Sequence, residues 1–278
     1  MTAPEDIHPA AIVSAQARLG RGVKVGPFAI VGPHVTLGDG VILHPHAIVE
    51  GHTTLGDGVE VFPNAAVGLR PQDLKYDGAP TELLVGARTV IRECATLQPG
   101  TTGGGAKTTV GADCLIMAYS HVAHDCHVGD KVIMANATQL AGHVTVEDGA
   151  ILGGLTGVHQ FVRIGRRAIT GAQTRVKQDI PPFVMADGHP AALFGLNIIG
   201  LKRAGMSAAS IRALKLAYKQ IFVRPGVWQD KIREVAAAPG ATPEVLELCA
   251  FLKNSQRGVT RASFEHGASA EQSNDDDE

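Results

Sequence analysis

The sequence predicts a parallel β-helix built from hexapeptide repeats, followed by a short α-helical region. Three observations carry this: a six-residue aliphatic beat, glycine after many beat residues, and a scarcity of aromatic side chains. The beat runs from Ile7 through Val13, Leu19, Val25, Val31, Leu37, Leu43, Val49, Leu55 and Val61 to Val67. It skips residues 73–84 and returns in phase at Val85, Ile91 and Leu97. It skips again over 102–109, slips by one residue, and runs from Val110 in steps of six to Val176. Of these 26 positions only Thr170 is polar. A period of six fits neither a helix nor an ordinary strand; it marks a hexapeptide β-helix. Three hexads make one triangular coil of 18 residues, and stacking at ~4.8 Å gives a prism roughly 40 Å tall. The two skips cannot continue the coil and are read as loops thrown out from it.

The elements follow in order. The β-helix is assigned to residues 1–186, with excursions at about 73–84 and 102–109. Glycine follows the beat at Leu19, Val25, Val31, Leu37, Leu55 and Ile164. Aromatics make up only 4% of the chain, as expected for a core that is a narrow ladder of Val, Ile and Leu. The beat ends near Pro181-Pro182, and an α-helical domain is assigned to 187–261. Ser207 is an N-cap for a helix over Ala208–Phe222, Pro225-Gly226 breaks it, and Trp228–Ala238 and Pro243–Lys253 read as two more. Residues 262–278 are polar and acidic, the composition of a disordered tail.

Bulk properties narrow the function. The start, Met1-Thr2-Ala3-Pro4-Glu5-Asp6, lacks a basic and then apolar leader, and no apolar run reaches the ~20 residues of a membrane span. Cys94, Cys114, Cys126 and Cys249 show no metal or disulfide spacing and are read as small buried thiols in a reducing cytoplasm. The net charge of −2 hides an asymmetry: residues 1–160 carry 9 Lys/Arg and 15 Asp/Glu, 161–261 carry 16 and 6, and 262–278 carry none and 6. A basic C-terminal region suggests an acidic partner, although solvated helix faces also need lysine and arginine. No nucleic-acid partner is expected.

The period also places the histidines. Residues 18 apart stack on successive coils, so His121 lies over Gln139 and Gly157, His124 over Gly142 and Gln160, and Asp125 over His143 and Phe161. His121, His124, His143 and His159, with Gln160, therefore share a patch roughly 10–15 Å high. Exposed histidines without chemistry are one reading. A metal site is a second; it needs about three ligands at ~2.0–2.1 Å from nitrogen, and the spacing fits poorly. General-base catalysis by one neutral imidazole is the third, suited to proton removal near neutral pH.

The segments Gln72-Asp73-Leu74-Lys75-Tyr76, Gly100-Thr101, Ala123-His124-Asp125-Cys126, Leu140-Ala141-Gly142-His143, Val158-His159-Gln160-Phe161, Phe194-Gly195-Leu196-Asn197 and Gly200-Leu201-Lys202-Arg203 occur in this order. Together they resemble the UDP-N-acetylglucosamine O-acyltransferases that begin lipid A synthesis. The resemblance implies a left-handed prism, a homotrimer with sites between subunits, a helical C-terminal domain, and no metal or diffusible cofactor. It implies transfer of an R-3-hydroxyacyl group from acyl carrier protein to the sugar 3-position. His124 would be the general base, Asp125 its orienting partner, and the Gly142 N–H the oxyanion donor. Adjacent residues on a strand face opposite ways, which argues against the Asp125 role. Asp73, Lys75, Gln98, His121, His143, His159, Gln160, Ala172, Asn197 and Arg203 would bind the sugar nucleotide and acyl chain. Arg163, Arg166, Arg167, Arg175 and Lys177 would form a basic surface for the acidic carrier. A related N-acyltransferase acting on the 2-amine carries an extra N-terminal domain, for which hexads starting at residue 7 leave no room.

Four positions depart from the family pattern. Ile199 stands where many members have Glu, Ala204 where they have a second Arg, and Gln98 where many have His. Gln98 raises the alternative of a 3-amino sugar acceptor and an amide product. Ala172 stands where a chain-length ruler often has Gly; at ~0.8 kcal/mol per buried methylene, its extra methyl favours an acyl chain nearer twelve than fourteen carbons.

Overall fold

The structure, a computed structural model, describes residues 6–263. It is a left-handed parallel β-helix capped by α-helices. Among the described residues, three sheets of eleven, nine and eight strands form the prism faces. Most strands are two residues long, and partners one coil apart lie 18 residues apart, as in Lys24 with Ile42. Across the first excursion Glu60 pairs with Val90, and across the second Val90 pairs with Leu115. The inserted lengths of 12 and 7 residues implied by these pairings account for both skips and for the one-residue slip. The strands resume before the excursions were expected to end, at Glu82 and Lys107, each extended to four residues.

Beat residues from Val25 onward are almost wholly buried along the axis, while Ile7, Val13 and Leu19, at the open end, are only partly covered. Thr170 sits in the same ladder, 2% exposed. Its Oγ1 accepts the Gly153 N–H at 3.0 Å and meets Thr156 Oγ1 at 3.2 Å, so the hydroxyl is satisfied where an aliphatic was expected. The turns have a corner residue in the left-handed region, including Asp125 (φ 59), His143 (φ 62) and Phe161 (φ 64). This conformation is uncommon for non-glycine residues. Here the next coil holds it: the His143 N–H donates to the His124 carbonyl at 3.1 Å, and the Phe161 N–H to the Gly142 carbonyl at 3.3 Å.

The prism closes with a hairpin. Val184–Asp187 continues a face in parallel, and Ala192–Leu196 returns antiparallel to it. Helix α1 (Ile198–Arg203), inside the stretch expected to be helical but given no bounds of its own, follows with Asn197 as its cap. Helix α2 (Ala208–Tyr218) starts at the expected Ser207 cap, but its last part, Lys219–Val223, winds as a π-helix. Helix α3 covers Trp228–Ala237 and α4 covers Pro243–Lys253. Of the expected tail, residues 264–278 lie outside the described residues. Ala262 and Ser263 instead pair beside Leu193.

Candidate active site

One cleft of about 470 Å³ runs along the nine-stranded face. Its walls include Gln72, Gln98, His121, His124, Gly142, His159, Gln160, Arg175 and Lys177. The register puts His121 beside Gln139 and Gln139 beside Gly157. His127, the remaining histidine of this stretch, lies on another face against Thr109.

His124 is 8% exposed and its Nδ1 lies 2.8 Å from Asp125 Oδ2. The strand-parity objection fails because neither residue is on a strand. They form the turn after His121–Val122, and the left-handed corner swings Asp125 back toward its neighbour. Asp125 is fixed by the second excursion: Oδ1 accepts the Thr101 N–H at 2.8 Å and Oδ2 the Thr101 hydroxyl at 2.7 Å. The Asp125 N–H donates to Thr108 Oγ1 at 2.8 Å. Gly104 closes over the carboxylate so tightly that an added Cβ would lie 2.0 Å from Asp125 Cγ. Sequence reading missed Thr101, Thr108 and Gly104 as supports; the Gly100-Thr101 motif was the available signal.

With Nδ1–H donated to Asp125, His124 Nε2 is left as a proton acceptor. It points at Gly142, where an added Cβ would lie 2.7 Å from Nε2 and 2.5 Å from Cε1. Among the described residues the Gly142 N–H has no acceptor. A base thus lies against a residue whose N–H is free, the two groups needed to deprotonate a hydroxyl and hold the oxyanion formed when it attacks a carbonyl.

The neighbouring histidines are held by packing. His143 stacks on Phe161 at 4.4 Å and meets His124 edge-on at 5.2 Å. His121 Nδ1 lies 2.7 Å from Thr96 Oγ1, and burial, helped by the nearby His124, pushes its pKa down. Cys126 is no nucleophile: burial raises its thiol to about 12, and Sγ donates to the Ala141 carbonyl. His124, Asp125 and His143 each bring a donor atom within 4.8 Å of the others, a spacing a metal ion could use. The three hydrogen bonds already accepted by the Asp125 carboxylate favour the acid–base arrangement.

The other expected site residues divide between the cleft and its surroundings. Gln98 is buried and its Oε1 accepts the Gln72 N–H at 3.1 Å, pinning the first excursion to the cleft. Asp73 turns back to accept the Lys75 N–H at 3.0 Å, while Lys75 is exposed and Leu74 projects fully into solvent. Ala172 is exposed at the opposite edge of the nine-stranded face. Asn197 accepts the Gly200 N–H and donates to the Arg167 carbonyl, and Arg203 is exposed in the last turn of α1. None of Asp73, Lys75, Ala172, Asn197 or Arg203 lines the cleft of the single chain.

The five basic residues do not form one surface. Arg166 makes a two-pronged ion pair with Glu247 of α4 at 2.8 and 2.6 Å and lies over Phe183. Arg163 pairs with Glu147 at 2.8 Å and covers Phe251 of α4. These two fasten the helices to the prism. Arg167 is a half-buried corner residue bonded to Asn197 through its carbonyl. Only Arg175 and Lys177 stand free on the cleft wall.

Comparison with known proteins agrees with this geometry. Residues 179–260 match the family model for domain 2 of UDP N-acetylglucosamine O-acyltransferase, and 16–51 and 107–142 match the bacterial transferase hexapeptide repeat. An acyl-[acyl-carrier-protein]–UDP-N-acetylglucosamine O-acyltransferase of Thiobacillus denitrificans is 51% identical over 255 residues, covering 92% of this chain and 99% of its own. One from Verminephrobacter eiseniae is 48% identical over 260 residues, with the same coverage. The solved structure of LpxA from Acinetobacter baumannii superposes with a TM-score of 0.89 at 41% identity, covering 92% of this chain and 99% of that one. The 3-amino alternative finds no support here: these relatives are named O-acyltransferases, and Gln98 is occupied as a loop anchor. The chain belongs to the UDP-N-acetylglucosamine O-acyltransferase family.

Proposed function

We propose that the protein transfers an R-3-hydroxyacyl group from acyl carrier protein to the 3-hydroxyl of UDP-N-acetylglucosamine, the first step of lipid A synthesis. The observation that carries this is the meeting of His124 Nε2 and Gly142 opposite the Asp125 clamp. Nε2 takes the proton of the sugar hydroxyl as its oxygen attacks the thioester carbonyl. The Gly142 N–H donates to the oxyanion. Collapse expels the carrier's thiolate, which takes the proton back from the imidazolium, and Asp125 stabilises that cation throughout. A positioned base of this kind is worth roughly 10²–10⁴ in rate.

The working form is a homotrimer in the cytoplasm. Support comes from Leu74, fully exposed at a loop tip, and from Asp73, Lys75, Asn197 and Arg203, which lie outside their own chain's cleft. A neighbouring copy would bring them to the sugar nucleotide. Arg175 and Lys177, the free cations of the cleft wall, suit an anionic group of a substrate. The acyl optimum is nearer twelve than fourteen carbons if Ala172 meets the chain end in that assembly. The test is transfer from carriers loaded with ten- to sixteen-carbon 3-hydroxyacyl chains, with wild type and His124→Ala. Turnover by wild type with loss in a folded His124→Ala supports the reading, and full activity in the variant overturns it.

A further inference from the structure

The segment after α4 returns to the prism and places a cation against His159, a residue of the cleft wall. Asp179, 1% exposed, grips it from both sides. Its Oδ2 accepts the Ser255 hydroxyl at 2.7 Å, its N–H donates to the Gly258 carbonyl at 2.9 Å, and its carbonyl accepts the Thr260 N–H at 2.9 Å. Oδ1 meanwhile accepts the Arg163 N–H at 2.8 Å, tying the segment to the coil. Gly258 (φ 77) sits against Gln178, with an added Cβ 2.7 Å from Nε2. Between these ties Arg257 reaches out, and its guanidinium lies 3.0 Å from His159 Nδ1.

A guanidinium has donors and no acceptor. A proton on His159 Nδ1 would meet the Arg257 N–H head-on, so Nδ1 must be the bare nitrogen and the proton must sit on Nε2. The Gln160 carbonyl, 3.2 Å from the same Nδ1, is then a neighbour and not a hydrogen-bond acceptor. His159 is therefore held with Nε2–H as a donor lining the cleft, on the wall that carries Arg175 and Lys177.

We propose that Arg257 is a positioning residue: it fixes the tautomer of His159 and, with Arg175 and Lys177, completes a three-cation wall that receives a phosphoryl group of substrate. This rests on the acyl-transfer reading, in which two substrates carry phosphoryl oxygens, the sugar diphosphate and the carrier's phosphopantetheine arm. The diphosphate bears the greater charge and is the ligand assigned here.

The test uses full-length wild type, Arg257→Ala, Arg257→Gln and Arg257→Lys. Imidazole ¹⁵N shifts of His159 report which nitrogen carries the proton, independently of turnover. The expected result is Nε2–H in wild type and in Arg257→Gln, whose amide still donates, and a mixture of tautomers in Arg257→Ala. In transfer assays Arg257→Ala should raise KM for UDP-N-acetylglucosamine about tenfold, the loss of one such hydrogen bond, with kcat within about twofold, and Arg257→Lys should recover part of it. A proton on Nδ1 in wild type, or an unchanged KM for the sugar in Arg257→Ala, overturns the proposal. A rise confined to the KM for acyl carrier protein overturns the choice of the diphosphate. If wild type turns over neither substrate, the acyl-transfer reading fails while the ¹⁵N result still decides the tautomer.

Discussion

His124 Nδ1 and the carboxylate of Asp125, the very next residue, lie 2.8 Å apart, and both groups are buried. Neighbours in sequence rarely meet side chain to side chain, because on a strand they face opposite ways. The left-handed corner at Asp125 removes that obstacle. The same corner recurs at His143 and Phe161 one and two coils away, so the repeat that builds the prism also builds the dyad.

Asp125→Asn tests the dyad. The amide can keep one oxygen as acceptor for the Thr101 N–H while turning its NH₂ toward His124. That favours a bare Nδ1 and a protonated Nε2, the wrong tautomer for a base. The expected outcome is a fall in kcat on the order of 10²–10⁴ with KM little changed and the thermal midpoint within a few degrees. A kcat within threefold of wild type would show that Asp125 does not orient the base.

Gly104→Ala tests whether the second excursion is part of the machinery. A methyl 2.0 Å from Asp125 Cγ cannot be accommodated in place, so either the loop lifts or the carboxylate turns away. Both weaken the Thr101 contacts. Overpacking of this kind costs ~1–3 kcal/mol, visible as a lower midpoint of unfolding in urea, and kcat should fall with it. An unchanged midpoint and kcat would mean the loop yields freely and does not hold Asp125.

The prism was readable because its rule is linear. Residues 18 apart stack, so the neighbours of His121 and His124 followed from counting, and both skips followed from the broken beat. The supports of the site were not readable in this way. Thr101 and Gly104 reach Asp125 from an excursion, where no period applies, and Arg257 reaches His159 across 98 residues of sequence. Helix α1 received no bounds of its own within the helical region because six residues are too few to show a helical period. The basic residues were misjudged as one surface because charge along the chain does not say which partner waits in space: Glu247 lies 81 residues from Arg166.

That division of the basic residues is itself testable. Arg166→Ala removes a two-pronged pair with Glu247. Both side chains are one-third exposed, so the cost is modest, about 0.5–2 kcal/mol, read as lost stability with unaltered KM values. Arg175→Ala with Lys177→Ala should do the reverse: stability stays within about 0.5 kcal/mol, as for ordinary surface changes. Weaker binding of the sugar diphosphate should appear as a higher KM for UDP-N-acetylglucosamine at low salt that converges on wild type as salt screens the wild-type advantage. A double-variant KM equal to that of wild type at low salt would remove these two residues from diphosphate recognition.

His121 gives the protein a pH signature. Its folded pKa lies below the ordinary 6.5, first because burial disfavours the charged ring and second because His124 lies close. Below 6.5 the unfolded chain takes up a proton that the folded site resists. The unfolded state then binds more protons, and stability falls as pH drops. Above 6.5 both states are neutral and the contribution is flat. His121→Gln carries no titrating group, so its unfolding free energy, measured by urea between pH 5 and 7.5, should lose part of the downward slope seen in wild type below 6.5. Parallel curves for the two proteins through that window would show that the His121 ring accepts its proton in the cleft as readily as in water.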